Sequence, residues 1–185
     1  MRAENIIGGS PASKRKPADF YPTPDEVTQA LLDFWAIPRE SLVWEPACGD
    51  GHMVKTLKRN GFKVIGTDIR YGVDFLSAEL PANVDYIITN PPFILAEEFI
   101  RKCAEHKKDF ALLLKSQYWH SQKRFQLFNE ITPRYILPLT WRPDFLFGEG
   151  GGKPLMDVVW CVWAEENGRY SGIPGYFPLQ RNGAK

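Results

Sequence analysis

Cysteine and histidine are scarce in this 185-residue sequence, which contains three of each. Cys48, Cys103 and Cys161 are odd in number and show none of the spacings that hold zinc, so we expect a reduced, intracellular protein without a metal site. The sequence has no apolar run near the ~20 residues that cross a bilayer, and its N-terminus has no signal-peptide core. We therefore expect a cytoplasmic protein with no membrane partner.

An excess of charge of one sign is also lacking, because 23 Lys and Arg residues face 22 Asp and Glu residues. The net charge of the chain therefore does not indicate that it binds nucleic acid. Residues 101 to 134 are locally basic, with eight Lys or Arg residues and three acidic ones. This excess favours either a solvated helix face or a patch that contacts phosphate.

The length and the 44% share of hydrophobic residues predict one globular domain with a buried core. Residues 1–18 combine Gly, Ser, Pro and Lys without hydrophobic periodicity, which predicts a flexible N-terminal arm. Residues 164–185 are rich in Gly and Pro and predict an irregular C-terminal tail. The folded domain is expected over residues 19–163.

Alternating strand and helix signals run through that domain. Thr23-Pro24-Asp25-Glu26 predicts a helix capped by Thr23 that ends before Pro38. Further helices are predicted over 52–59 and 94–106, and strands over 42–44, 62–68, 84–89, 110–114, 135–137 and 157–163. The strand at 110–114 is wholly apolar, which predicts a central place in the sheet.

The stretch Glu45-Pro46-Ala47-Cys48-Gly49-Asp50-Gly51 joins the first strand to a helix, the arrangement in which glycines admit a nucleotide to the backbone. Val54 replaces the third glycine of the dinucleotide fingerprint, and no Gly-Lys-Ser/Thr follows, so a nucleoside fits better than a pyrophosphate. Asp68 ends the second strand, where an acid either accepts ribose hydroxyls or caps a turn. Asp74-Phe75 offers a carboxylate for an adenine amine beside an aromatic wall.

Asn90-Pro91-Pro92-Phe93 closes the apolar run 84–89. Two adjacent prolines cannot continue a strand or a helix, so the chain leaves the sheet there in one stiff conformation. The tetrapeptide presents an amide, fixed carbonyls and an aromatic face. It is either a rigid turn or a site for a flat, polar group.

Taken together, the motifs resemble the series found in class I S-adenosylmethionine-dependent amino-methyltransferases, in order and in spacing, over residues 19–163. The closest resemblance is to small DNA adenine methyltransferases encoded by phages and prophages. It implies an α/β, Rossmann-like fold with a mostly parallel central sheet, an antiparallel C-terminal edge hairpin and helices on both faces. The interval between Asp68 and Val84 is short, which predicts that the family's usual helix and third strand are reduced there.

The resemblance also implies roles for individual residues. S-adenosyl-L-methionine would be held at its methionine end by Tyr21, Thr23 and Glu45, at the backbone by Gly49 and Gly51, at the ribose by Asp68, and at the adenine by Asp74 and Phe75.

The catalytic group would be Asn90, Pro91, Pro92 and Phe93. The Asn90 side-chain oxygen and the Pro91 carbonyl would each accept one hydrogen of the target amine, while Phe93 stacks on the base. No metal is implied.

Aromatic and basic residues alternate after the central strand, a pattern that suits stacking on bases and neutralising phosphates. The predicted contacts to DNA, or alternatively RNA, are Lys115, Tyr118, His120, Lys123, Arg124 and Arg142. A helix with ordinary core aromatics is the competing interpretation, which we favour for Trp119 and Phe125. An RNA or protein glutamine amino-methyltransferase and a non-catalytic binding module remain the alternative functions.

Overall fold

The computed structural model describes residues 21–146, 156–165, 170 and 172–181. The predicted arm at residues 1–18 lies outside the described residues. The helices are α1 (Asp25–Phe34), α2 (His52–Arg59), α3 (Ala96–Glu105) and α4 (Phe125–Glu130). The strands are β1 (Leu42–Glu45), β2 (Lys63–Gly66), β3 (Tyr86–Thr89), β4 (Asp109–Lys115), β5 (Tyr135–Pro138), β6 (Val158–Trp163) and β7 (Gly175–Tyr176).

All seven strands form one sheet in the order β2-β1-β3-β4-β6-β5-β7. The first four are parallel, and β6 runs antiparallel to both β4 and β5. The apolar β4 lies at the middle of this order, as predicted from its composition. The α/β architecture with an antiparallel hairpin is therefore confirmed.

Alternation along the strands divides the core between the two faces of the sheet. In β4, Ala111 and Leu113 face the side covered by α1 and α2, whereas Phe110 and Leu112 face α3 and α4. Successive side chains of a strand point to opposite faces, so a central strand must be apolar on both. Helices accordingly pack on both faces, as predicted.

Three details differ from the sequence-based expectations. Residues 116–124 form two short 3₁₀ turns rather than a helix, and Phe125 at the start of α4 is 66% exposed instead of lying in the core. Thr23 does not cap α1, since Pro24 is the N-cap residue and no side chain bonds the free amides. The third difference concerns the strand before Asn90: the sequence pattern places the tetrapeptide at the end of a fourth strand, whereas it follows β3, the third strand along the chain.

The segment 164–185, expected to be irregular, contributes a strand to the sheet. β7 pairs in parallel with β5, and Leu179 adds a bridge to Leu139. The amide of Gly175 donates to the carbonyl of Arg134 at 2.9 Å. The outer edge is therefore formed by β7, and the β5–β6 hairpin lies one strand further in.

Candidate functional site

A cleft opens at the carboxyl ends of the parallel strands, the edge where open α/β sheets bind their ligands. Glu45 from the end of β1, Asp68 after β2 and Asn90 after β3 line it, together with the Tyr21–Thr23 segment that leads into α1. Four stretches that are far apart in the sequence thus meet at one place, because parallel strands bring their ends together.

Asn90 is oriented by the segment before α1. Its Nδ2 donates to the carbonyl of Tyr21 at 3.0 Å and to the hydroxyl of Thr23 at 3.1 Å. Both amide hydrogens are therefore used, and the position of Oδ1 is fixed. That oxygen is buried and has no hydrogen-bond partner among the described residues. A buried acceptor without a donor is costly, about 1–3 kcal/mol, which marks Oδ1 as a place for a donor from a ligand.

The other three residues of the tetrapeptide differ in their surroundings. Pro91 is buried, and Pro92 lines the cleft. The ring of Phe93 lies 5.8 Å from that of Tyr21, and Nζ of Lys115 sits over its face, 4.4 Å from the ring centre. The end of β4 therefore brings a cation to the predicted catalytic group.

Glu45 is a buried carboxyl group, 2% exposed, at the floor of the cleft. Its Oε1 accepts the hydroxyl of Thr89 at 2.5 Å and the amide of Ala47 at 3.2 Å. Desolvation by burial outweighs these two bonds and raises the pKa of Glu45 to about 7. The group is thus poised to change charge near neutral pH.

The glycine loop has the conformation that its sequence requires. Gly49 and Gly51 have φ values of 52° and 77°, a region that other residues seldom enter. The amide of Gly49 donates to Oδ2 of Asp68 at 2.8 Å, which ties the loop to the end of β2. Asp68 therefore lies beside the glycine loop, where an acid that binds ribose was predicted. It also holds the loop and the turn together, as the alternative prediction of a turn residue requires.

Asp74 and Phe75 lie in a tight turn that lines the same cleft. Oδ1 of Asp74 accepts the amide of Leu76 at 3.0 Å, while the Phe75 ring packs 5.2 Å from Trp44 and 4.7 Å from Phe99. Between Asp68 and Val84 the structure has a three-residue 3₁₀ turn and no strand. The predicted reduction of this region is confirmed.

The residues predicted to contact nucleic acid differ in their exposure and in their partners. Tyr118 is only 6% exposed, with the Arg124 guanidinium 3.9 Å from its ring centre, and burial raises its pKa to about 12. Its ring therefore cannot stack on a base, and the prediction for Tyr118 is wrong in this respect. Arg124 turns back to donate to the Tyr118 carbonyl at 3.1 Å. His120 and Lys123 are exposed.

Arg142 lies at the same end of the sheet as the cleft. It forms two hydrogen bonds to the carboxylate of Asp157, at 2.7 and 3.3 Å. The carbonyl of Asp157 accepts the amide of Ser116, directly after β4. The connection between β5 and β6 therefore returns to the carboxyl edge, although the ion pair with Asp157 offsets the charge of Arg142.

Three residues of this region were missed by the sequence interpretation. Thr89 bonds Glu45, and Arg70 bonds both Asp68 and Asp50. Phe145 is buried and meets the ring of Tyr21 edge-on at 6.0 Å. A buried polar residue at the end of an apolar strand was the available signal for Thr89; the other two had none.

The residues described by the structure contain no group of three His, Cys, Asp or Glu side chains that could hold a metal ion. In the same part of the chain, no helix combines the length and hydrophobicity needed to cross a membrane.

The comparisons with known proteins found similarity to solved structures, and no match to a family model or to a curated sequence. The M protein of the type I restriction enzyme EcoKI is similar with a TM-score of 0.61 and 13% identity, over 89% of this chain and 49% of that one. A Listeria monocytogenes protein described as a class I S-adenosylmethionine-dependent methyltransferase gives 0.58 and 15%, over 95% and 69%. The 23S rRNA methyltransferase ErmE gives 0.54 and 10%, over 83% and 73%.

This chain spans about half the length of the type I methyltransferase subunits that it matches. The names of the three structures differ in substrate, and what the three share is the methyltransferase architecture. The chain has the fold of the class I methyltransferases.

Proposed function

We propose that this protein transfers a methyl group from S-adenosyl-L-methionine to the exocyclic amine of adenine in DNA, as small phage and prophage enzymes do. The observation that carries the proposal is the state of Asn90. Its two amide hydrogens are held by Tyr21 and Thr23, while its buried Oδ1 has no partner among the described residues. A primary amine is the donor that such an acceptor lacks.

The cleft suits the proposed cofactor in the chemistry of its residues. Glu45 would hold the methionine ammonium beside Tyr21 and Thr23, and Asp68 would accept the ribose hydroxyls. Gly49 and Gly51 would admit the cofactor to the backbone of the loop, and a side chain at Gly51 would meet Val54 only at 3.9 Å. Asp74 with Phe75 would border the adenine. When bound, S-adenosyl-L-methionine supplies an electrophilic methyl group on a sulfonium.

The tetrapeptide would act on the amine through position and fixed dipoles. An adenine amine is a weak nucleophile because its lone pair is delocalised into the ring. Oδ1 of Asn90 and the carbonyl of Pro91 would each accept one amine hydrogen, which favours a pyramidal nitrogen and frees its lone pair. The prolines hold these acceptors in place before the substrate arrives, so little reorganisation is needed.

The most specific part of the proposal is the identity of the molecule that accepts the methyl group. An adenine in duplex DNA must leave the base stack, at a cost of a few kcal/mol, before it can reach Asn90. Nζ of Lys115 already lies over one face of the Phe93 ring, so the base would stack on the other face while the lysine supplies positive charge. An amine of RNA or of a protein glutamine could meet the same two acceptors, so these classes are alternative outcomes of the test.

The test is transfer of labelled methyl from S-adenosyl-L-methionine to DNA, RNA and protein acceptors, together with mapping of N6-methyladenine in DNA from an expressing host. We expect label in DNA adenine. Label only in RNA or protein would show that the acceptor is wrong, and no transfer to any acceptor would overturn the proposed activity.

Asn90→Ala tests the mechanism separately. We expect turnover to fall by about 10² or more, since a preorganised acceptor is lost, while binding of S-adenosylhomocysteine persists. Asn129→Ala is the matched control, because Asn129 is exposed and, among the described residues, its side chain bonds the carbonyl of Phe125 within α4. Turnover of Asn90→Ala equal to that of the control would contradict the assigned role.

A further inference from the structure

Arg70 bridges two carboxylates at the mouth of the cleft. Its Nε donates to Oδ1 of Asp68 at 3.3 Å, and its Nη2 donates to Asp50 at 3.1 Å. The same Oδ1 also accepts the backbone amide of Arg70 at 2.9 Å. The side chain thus connects the turn after β2 with the glycine loop.

These contacts, together with one from Gly49, occupy most of the hydrogen-bond acceptor positions of the Asp68 carboxylate. A carboxylate has about four acceptor positions. The amide of Gly49 takes one on Oδ2, and the backbone amide and Nε of Arg70 take two on Oδ1. Among the contacts of the described residues, one position on this carboxylate therefore remains. A ribose presents two vicinal hydroxyl groups, so a ligand that uses both must displace one of the three donors.

Nε of Arg70 is the donor that can leave. Its bond is the longest of the three, and the side chain is 42% exposed. The two backbone amides are fixed, because the hydroxyl of Tyr71 bonds the Gly49 carbonyl at 3.2 Å and ties the turn to the loop. The guanidinium already contacts a second carboxylate, that of Asp50, which would keep it paired after it moves.

We propose that Arg70 is a positioning residue that occupies one acceptor place on Asp68 until a ribose diol takes it, and that Asp50 then retains the guanidinium. This inference rests on the proposed cofactor site. In the free protein Arg70 keeps the Asp68 carboxylate oriented. When the ligand binds, its second hydroxyl contributes less to the binding free energy than it would at an empty acceptor position, because it replaces an existing hydrogen bond.

The consequence is a coupling between Arg70 and one hydroxyl of the ligand. For the wild type, removing one ribose hydroxyl from the ligand should lower its affinity only slightly, since Nε of Arg70 then stays bonded to Asp68. Without Arg70, both hydroxyls meet open acceptors, and each contributes fully. The discrimination between a ribose and a deoxyribose ligand therefore increases when the arginine is removed.

The experiment is isothermal calorimetry with S-adenosylhomocysteine and its 2′-deoxy analogue, on the wild type and Arg70→Met. We expect the ratio of the two dissociation constants to rise by about two- to fivefold in Arg70→Met, the range of an exposed ion pair. Arg101→Met is the matched control, since Arg101 pairs with Glu97 and Glu130 on α3 and α4. Its ratio should equal that of the wild type.

Asp50→Asn should move the ratio the other way, because Arg70 then has one charged partner fewer and holds Asp68 more firmly. The double variant should match Arg70→Met, since Asp50 acts through Arg70. An unchanged or lower ratio in Arg70→Met would overturn the inference, even if S-adenosylhomocysteine binds normally. If the wild type bound neither ligand, the proposed cofactor would itself be wrong, and the inference with it.

Discussion

The hydroxyl of Thr89 donates to Oε1 of Glu45 at 2.5 Å, across the two neighbouring strands whose ends form the floor of the cleft. The bond keeps a buried carboxyl group in a fixed orientation at the proposed methionine end. It does not keep that group ionised, because burial raises its pKa to about 7 from a usual value of 4.5. The stability of the fold and the charge of its site are therefore linked.

Glu45→Gln should change how stability depends on pH. Between about pH 4.5 and pH 7 the folded state holds a proton on Glu45 that the unfolded state has lost, so the wild type loses stability as pH rises through this window. The loss reaches up to about 3 kcal/mol. Glutamine does not titrate, so this loss should disappear from urea unfolding between about pH 5 and about pH 8.5.

Glu105→Gln, at the exposed end of α3, is the control for that measurement. Its pH profile should follow the wild type. If Glu45→Gln lost as much stability between the two pH values as the wild type does, the buried carboxyl would not be the source of the dependence.

Thr23→Val should impair the site through Asn90. Valine has nearly the same shape but no acceptor, so one hydrogen of the Asn90 amide loses its 3.1 Å bond and the orientation of Oδ1 is less well fixed. We expect kcat for methyl transfer to fall by about tenfold, which corresponds to about 1.4 kcal/mol. Thr23→Ser keeps the acceptor and should retain most of the rate; equal losses in the two variants would contradict this role.

Trp160→Phe should destabilise the fold without touching the cleft. The indole Nε1 of Trp160, in β6, donates to the carbonyl of Val27, in α1, at 2.9 Å, and the side chain is fully buried. Phenylalanine removes the second donor of that carbonyl, which also lies within the hydrogen-bonded helix α1, and leaves a gap in the core, so unfolding by urea should show a loss of about 2–4 kcal/mol. A loss below about 0.5 kcal/mol would mean that neither the bond nor the packing matters.

Lys123→Met and Arg142→Met should differ in their effect on DNA binding. Lys123 is exposed, whereas Arg142 is paired twice with Asp157. If Lys123 contacts a phosphate, its loss should reduce the slope of log affinity against log salt by about 0.9. Arg142→Met should change the slope less, because a paired guanidinium releases fewer counterions. Fluorescence anisotropy over a salt series measures both slopes, and a larger change for Arg142→Met would reverse the assignment.

The sequence predicts the central sheet well because its signals are local. The apolar run of β4, the glycines at 49 and 51 and the two prolines after Asn90 each restrict the backbone within a few residues. Contacts between distant segments have no such signal. The ring contact of Phe145 with Tyr21 and the bridge made by Arg70 depend on how elements pack, and periodicity carries no information about that.

Two errors have a similar origin. Aromatic residues between basic ones suit either a base-stacking surface or a core, and the sequence does not tell which side of the chain faces the protein. Tyr118 proves to be buried and Phe125 exposed, the reverse of the assignments. β7 was missed because two residues are too few for an alternating pattern, and its pairing with β5 is set by a partner 40 residues earlier in the sequence.

The bond between Trp160 and Val27 also bears on how the protein is made. It joins residues 133 positions apart, and residues of β6 and α1 belong to the same buried cluster. At about 5–20 residues per second, a ribosome needs on the order of 10 s to synthesise the chain between them. During that time the segment carrying Tyr21 and Thr23 has no strand β6 to support it. The contact between β6 and α1 therefore forms only after most of the chain has been synthesised.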